Sequence, residues 1–175
     1  MGVVIVPGAV RIVGCGRWSM GDDQVGLVLA DRLANRHIPD TIVTRTETPG
    51  SDLAAEAGSD VELLVLVDAA PADRDHPAGA FEWLDYFDNS SALFERKQGG
   101  THGLGVCSGL KLADALGQLP RDVWICVVFG CDFQRGLELS EPVAAVLDTV
   151  VEGIEHRIRQ WVHNHPGANA PKSHL

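Results

Sequence analysis

The chain is short of positive charge. Its 14 Lys and Arg stand against 24 Asp and Glu, a formal net charge of −10 at pH 7. That balance excludes nucleic acid and an anionic membrane surface as general partners, because both demand cationic faces. No apolar run is long enough to span a bilayer. The apolar start, Met1 to Ala9, has no Lys or Arg before Arg11 and so lacks the charged region of a signal peptide. Ile5 and Val6 stand where a myristoylation site carries Ser or Thr. Cysteine is sparse: Cys15, Cys107, Cys126 and Cys131 form no Cys-x-x-Cys pair, which excludes an ordinary structural zinc site. Each sits in or beside an apolar run, which reads as buried thiols in a reducing cytoplasm. A nucleophile elbow and a Walker-type lysine are also missing, which argues against a serine hydrolase and a P-loop protein.

What is present is a globular composition, with 45% hydrophobic and 22% charged residues over 175 positions. This length fits one domain with a substantial core, placed at residues 1–163. Residues 164–175 hold Pro166, Gly167 and Pro171 and little that is apolar, and read as a flexible tail.

Strand and helix signals alternate. Residues 10–14 read as a buried strand, and residues 23–36 as a helix with Val25, Val28, Leu29, Ala30 and Leu33 on one face. Residues 41–44 are β-branched and strand-like. Ser51 is placed to cap a short helix through Ala57. The run Val61 to Val67 is the strongest strand, apolar enough for the centre of a parallel sheet. Phe81 to Phe87 reads as an antiparallel edge strand, Leu104 to Leu116 as a helix, and Val123 to Phe129 as the last strand. Ser140-Glu141-Pro142 opens a final helix towards Val162, with Ser140 as N-cap. The alternation predicts a three-layer α/β sandwich around a mostly parallel twisted sheet.

The loop after the first strand is Gly14-Cys15-Gly16-Arg17-Trp18-Ser19-Met20-Gly21-Asp22-Asp23. Its glycines suggest a phosphate cradle, but Ser19 breaks the Gly-x-Gly-x-x-Gly spacing. Two acids also occupy the helix start, where a phosphate would need to sit. A loop ending in carboxylates suits a metal ion. Asp68 closes the central strand, and His102 precedes the helix near Leu104. In a parallel sheet these positions share the carboxyl edge where ligands bind. Two carboxylates and an imidazole make a set for a divalent transition metal, with positions open for water or substrate. A helix N-terminus disfavours the protonated imidazole, which helps His102 serve as a neutral ligand. Taken singly, each has an ordinary explanation: Asp22 or Asp23 as a cap, Asp68 as the cap of whatever follows its strand, His102 as a loop residue. Asp22 is assigned to capping the helix and Asp23 to the metal. Asp73, Asp75 and His76 read as a solvated loop, and the remaining histidines as surface or tail.

At these residues the chain resembles the hydrogenase maturation endopeptidases. The carriers are Gly14-Cys15-Gly16-Arg17 leading to Gly21-Asp22-Asp23, then Val67-Asp68-Ala69, then Thr101-His102-Gly103-Leu104, with a similar layout from Leu119 to Val143. The resemblance implies an endopeptidase that removes the C-terminal extension of a nickel–iron hydrogenase large-subunit precursor. It implies that Asp23, Asp68 and His102 are the metal-binding and catalytic residues, and that the nickel is carried by the precursor. A site shared in this way is expected to be empty, or to hold another divalent ion, in the isolated protein. Three departures stand out: Arg17 replaces a usual asparagine, Gln24 a common glycine, and the stretch before Val10 is longer than the usual short start. The competing readings are a non-catalytic assembly chaperone of the same fold and a nucleotide-binding α/β protein.

Overall fold

The structure, a computed structural model, describes residues 9–88 and 103–165. Its elements are β1 (Val10–Cys15), a 3-10 turn (Gly21–Gln24), α1 (Val25–Ala34), β2 (Thr41–Thr46), α2 (Pro49–Glu56), β3 (Leu63–Pro71), β4 (Phe81–Asp85), α3 (Gly103–Ala115), β5 (Asp122–Gly130) and α4 (Glu141–Asn164). The strands form one sheet in the order β2-β1-β3-β5-β4. All neighbours are parallel except β4, which runs antiparallel to β5 at the edge, as the sequence predicts.

Side-chain alternation divides the core in two. Val10 and Ile12 of β1 and Leu63, Val65 and Val67 of β3 pack beneath α1 and α4. Val13, Leu64, Leu66 and Ile125 face α2 and α3 instead. A strand buried on both faces has no polar side to show, which is why β3 reads as a continuous apolar run. Each fully buried Leu or Val contributes roughly 1.5–3 kcal/mol, so this central strand anchors the domain.

The chain winds outward from β1 to β2, then crosses back to β3 on the other side of β1. That reversal opens a crevice at the carboxyl ends of β1 and β3. The register shows where it opens: β1 and β3 pair from Val10↔Leu63 to Gly14↔Val67 and no further. β3 continues beside β5 to Pro71↔Gly130. Asp68 is therefore the first β3 residue beyond the β1 pairing, within its strand and not at the strand's end as the sequence suggests.

Other local expectations shift. The helix expected from residue 23 begins as the 3-10 turn, and the strand from Phe81 stops at Asp85. α2 starts at Pro49 instead of at a Ser51 cap; the Ser51 Oγ lies 3.0 Å from the Thr48 carbonyl oxygen. Cys15, Cys107 and Cys126 are buried as expected, whereas Cys131 is exposed where the chain leaves β5. Burial pushes the Cys126 thiol up to about 12, with Arg157 offsetting part of the effect. The expected tail from Pro166 onward lies outside the described residues. Among the described residues no helix is long and apolar enough to cross a membrane.

Two glycines let α1 settle onto the sheet. A Cβ on Gly26 would collide with the carbonyl oxygens of Cys15 and Val67, and one on Gly14 with the Gly26 carbonyl. Gly26→Ala should therefore destabilise the fold by about 1–3 kcal/mol or more. Gly153→Ala, where an added Cβ meets nothing within 4 Å inside α4, should stabilise it by about 0.5–1 kcal/mol. Urea unfolding of both variants checks the contrast; equal effects would contradict the close-approach account.

Candidate active site

The loop after β1 is clamped from three directions. Gly16 N–H donates to the Thr46 carbonyl at 3.2 Å, which fixes it to the end of β2. Gly16 has φ +153°, and a Cβ there would strike the Asp23 carbonyl, so the loop folds back on its own exit. Gly21 N–H donates to the Gly136 carbonyl at 3.2 Å, and Gly136 N–H to the Ser19 carbonyl at 3.0 Å. Gly21, at φ +55°, also faces the Asp132 carbonyl closely. The glycine turn is thus filled by the protein's own backbone. It leaves no cradle of N–H groups for a phosphate, and the nucleotide reading loses its main support.

The adjacent acids point to different tasks. Asp22 is fully buried and does not cap its own helix, contrary to the sequence expectation. Its Oδ2 accepts from Cys131 N–H (2.8 Å), Asp132 N–H (2.9 Å) and the Ser140 hydroxyl (2.8 Å). Its Oδ1 accepts from Ser140 N–H at 2.7 Å. Ser140 is the N-cap residue of α4, but its hydroxyl serves Asp22 and not the helix. Gly130 makes room, since a Cβ there would lie 2.8 Å from Asp22 Oδ2. Burial alone would raise the Asp22 pKa, but the hydrogen bonds from Asp132, Ser140 and Cys131 outweigh it and hold the carboxyl below its ordinary value.

Asp23 turns to the opposite side. It is 2% exposed, and its Oδ2 meets Arg17 Nε at 3.1 Å. Asp68 is 7% exposed and, by strand parity, lies on the same face of β3 as Leu64 and Leu66. Asp23 and Asp68 line one cleft of about 340 Å³, together with Gly16, Arg17, Gly105 and the segment from Glu47 to Ser51.

That last segment forms a wall the sequence did not reveal as functional. Its rigidity comes from Asp52, which accepts from the Thr46, Thr48 and Ser51 hydroxyls at 2.6, 2.8 and 2.9 Å. Those bonds, Thr46's first, hold the Asp52 carboxyl below its ordinary value. The available signal was topological: the β2–α2 junction shares the carboxyl edge with β1 and β3. Gly105 and Gly109 of α3 bring that helix against Pro49 and Gly50, closing the wall from the other side.

His102 lies outside the described residues. Among the described residues no three His, Cys, Asp or Glu side chains gather as a metal set. Asp23 and Asp68 are the two carboxylates in the cleft that could hold a cation. Both carboxylates are buried, and a positive group, the Arg17 guanidinium, already sits on Asp23. Asp73 and Asp75 are exposed, as a solvated loop implies, while His76 is partly buried: its ring stacks on Phe129 at 4.4 Å and its Nδ1 meets Asp73 Oδ1 at 3.0 Å. His37, His156 and His163 are exposed, as expected of surface residues.

The α/β domain carries two buried acids at its strand-reversal crevice, and its sequence places it in a class of peptidases. The chain belongs to the hydrogenase maturation protease family, which matches residues 48–157. That span includes Asp68 and His102; Asp23 precedes it. Among solved structures the fold is similar to the hydrogenase maturating endopeptidase HybD from Escherichia coli, with a TM-score of 0.73 and 19% identity over 86% of this chain and 92% of that one. It is also similar to the [NiFe] hydrogenase maturation protease HybD from Thermococcus kodakarensis, with a TM-score of 0.67 and 25% identity over 85% and 97% of the two chains. The HycI protease from Thermococcus kodakarensis gives a TM-score of 0.64 at 24% identity over 86% and 92%. No curated protein sequence matches the chain.

The lowered Asp22 pKa has a stability consequence. A depressed folded pKa stabilises the fold above the unfolded value, near 4, and the contribution is lost as pH falls through the folded value. Asp22→Asn should cost about 1.5–3 kcal/mol at pH 7, and the gap from the unaltered protein should narrow below pH 4. Urea unfolding across pH 3–7 measures this; a gap independent of pH would contradict the ionised-anchor role.

Proposed function

We propose that Asp23, Asp68 and His102 bind the nickel that a nickel–iron hydrogenase large-subunit precursor carries into the cleft, and that the enzyme then removes the precursor's C-terminal extension. The carrying observation is that Asp23 and Asp68, 45 positions apart in sequence, are both buried and line one cleft. Buried carboxylates need a cation or strong donors, and a net charge of −10 biases the surroundings further toward a positive ligand. Gly105, three positions after His102 in the sequence, lines the same cleft, which supports placing the imidazole with the acids.

Nickel is here part of the substrate. Once bound, it supplies a fixed anchor and Lewis acidity near the scissile bond. The chain's own residues do the rest. Asp23 and Asp68 offer the oxygen ligands, and His102 a nitrogen ligand. The wall from Glu47 to Ser51 guides an extended peptide along the cleft. Three protein ligands leave positions for the precursor's own donors and for water. Four free cysteines, three of them buried, fit a reducing compartment, and we place the reaction in the cytoplasm.

Asp23→Asn, Asp68→Asn and His102→Ala should each slow cleavage of nickel-loaded precursor by at least about a hundredfold while leaving the fold intact. Mass spectrometry of the precursor after incubation, with circular dichroism of each variant, is the measurement. Normal processing by the three variants would refute the assignment. Tight binding of the precursor by the unaltered protein, without any mass loss, would favour the chaperone reading.

A further inference from the structure

We infer that Arg17 is a cation guard: its guanidinium holds the place of the metal on Asp23 until a precursor-borne ion displaces it. The inference rests on the reading of Asp23 as a metal ligand and adds a residue that reading does not use.

The ion pair is lopsided. The Asp23 side chain is 3% exposed and the Arg17 side chain 41%. A carboxylate buried that deeply is costly without a countercharge, and Arg17 Nε at 3.1 Å from Oδ2 supplies one. The Arg17 side chain reaches the cleft from the solvent side, where 41% of it is exposed, so its stem can swing without disturbing buried packing. The backbone on both sides of Arg17 is pinned. Gly16 N–H is held by the Thr46 carbonyl at 3.2 Å, and Trp18 N–H by Glu47 Oε2 at 3.0 Å. Exchange is therefore a movement of the Arg17 side chain, with the loop backbone left in place. Arg17 and Glu47 line the same cleft, so the displaced cation stays beside an acidic wall.

A guanidinium and a divalent ion repel each other strongly across a single buried carboxylate. The two cannot share Asp23 Oδ2. The guard thus sets a threshold: a free divalent ion must evict Arg17 with its ligand bonds alone. Nickel presented by a precursor has the precursor's own contacts to help. The result is discrimination between a loaded substrate and stray metal. Sequence reading could not assign Arg17, because its departure from the asparagine usual at that position has meaning only once its partner is known.

The test is isothermal titration of the full chain with nickel(II) chloride alone. Arg17→Met and Arg17→Asn should bind nickel roughly tenfold or more tighter than the unaltered protein, the scale on which an adjacent charge alters a carboxylate's affinity for a cation. Arg17→Lys keeps the charge and should stay closer to the unaltered protein than to Arg17→Met. Adding Asp23→Asn to Arg17→Met should erase the gain. Unchanged or weaker binding by Arg17→Met, absence of binding by every variant, or a gain that survives Asp23→Asn would overturn the inference. Loss of precursor cleavage in Asp23→Asn alongside unchanged nickel affinity in Arg17→Met would reject the guard and leave the site assignment standing.

Discussion

The Asp22 carboxylate is the contact on which the site depends. Four donors from Cys131, Asp132 and Ser140 converge on it, and its own N–H donates to the Asp132 carbonyl at 2.6 Å. These partners lie more than 100 positions away in sequence, at the exit of β5 and the start of α4. One side chain thereby ties the first loop of the fold to its last. It also sits where the positive end of α4 favours a negative charge. With Asp22 held inward, the next residue has one direction left, and Asp23 is delivered to the cleft on the far side of the turn. The pair divides its labour between holding the loop and facing the cleft.

Glycine completes the frame by permitting close approach. Gly14 and Gly26 let α1 lie against β1 and β3, Gly130 admits Asp22, and Gly105 and Gly109 seat α3 on the start of α2. Each absence of a side chain converts to a shorter distance between backbones. The cleft at the carboxyl ends of β1 and β3 is thus walled by segments in close backbone contact, and Asp23 and Asp68 in it are buried. A chain with a net charge of −10 keeps these two carboxylates buried at one place, and the Arg17 guanidinium is a cationic partner of Asp23.

The fold was legible because its signals are local. The apolar run of β3, the β-branched β2 and the Ser140-Glu141-Pro142 start of α4 each announce an element from their own residues. The antiparallel edge strand at Phe81 was also readable, and the alternation of elements implied the layers. The shared carboxyl edge of a parallel sheet by itself brings Asp23 and Asp68 to one side of the domain. What failed was pairing at a distance. Whether Asp68 ends its strand depends on β1 stopping at Gly14↔Val67 while β5 continues to Gly130, and no local pattern encodes that difference. Asp22 looked like a cap of its own helix because its true partners come from the far end of the chain. Ser140 has the right identity and position for an N-cap, yet a buried carboxylate competes for its hydroxyl and wins. Arg17 needed the loop's folded path to bring it back to Asp23.

The central claim is that Asp23 and Asp68, framed by Asp22, form the ligand edge for a metal delivered by the precursor. Anomalous diffraction at the nickel edge, from crystals of the enzyme bound to nickel-loaded precursor, tests it directly. The account predicts one nickel peak in the cleft, ligated by Asp23 and Asp68 with His102, and an Arg17 guanidinium that has left Asp23. A nickel peak away from both acids, or an intact Arg17–Asp23 pair beside the bound precursor, would contradict it.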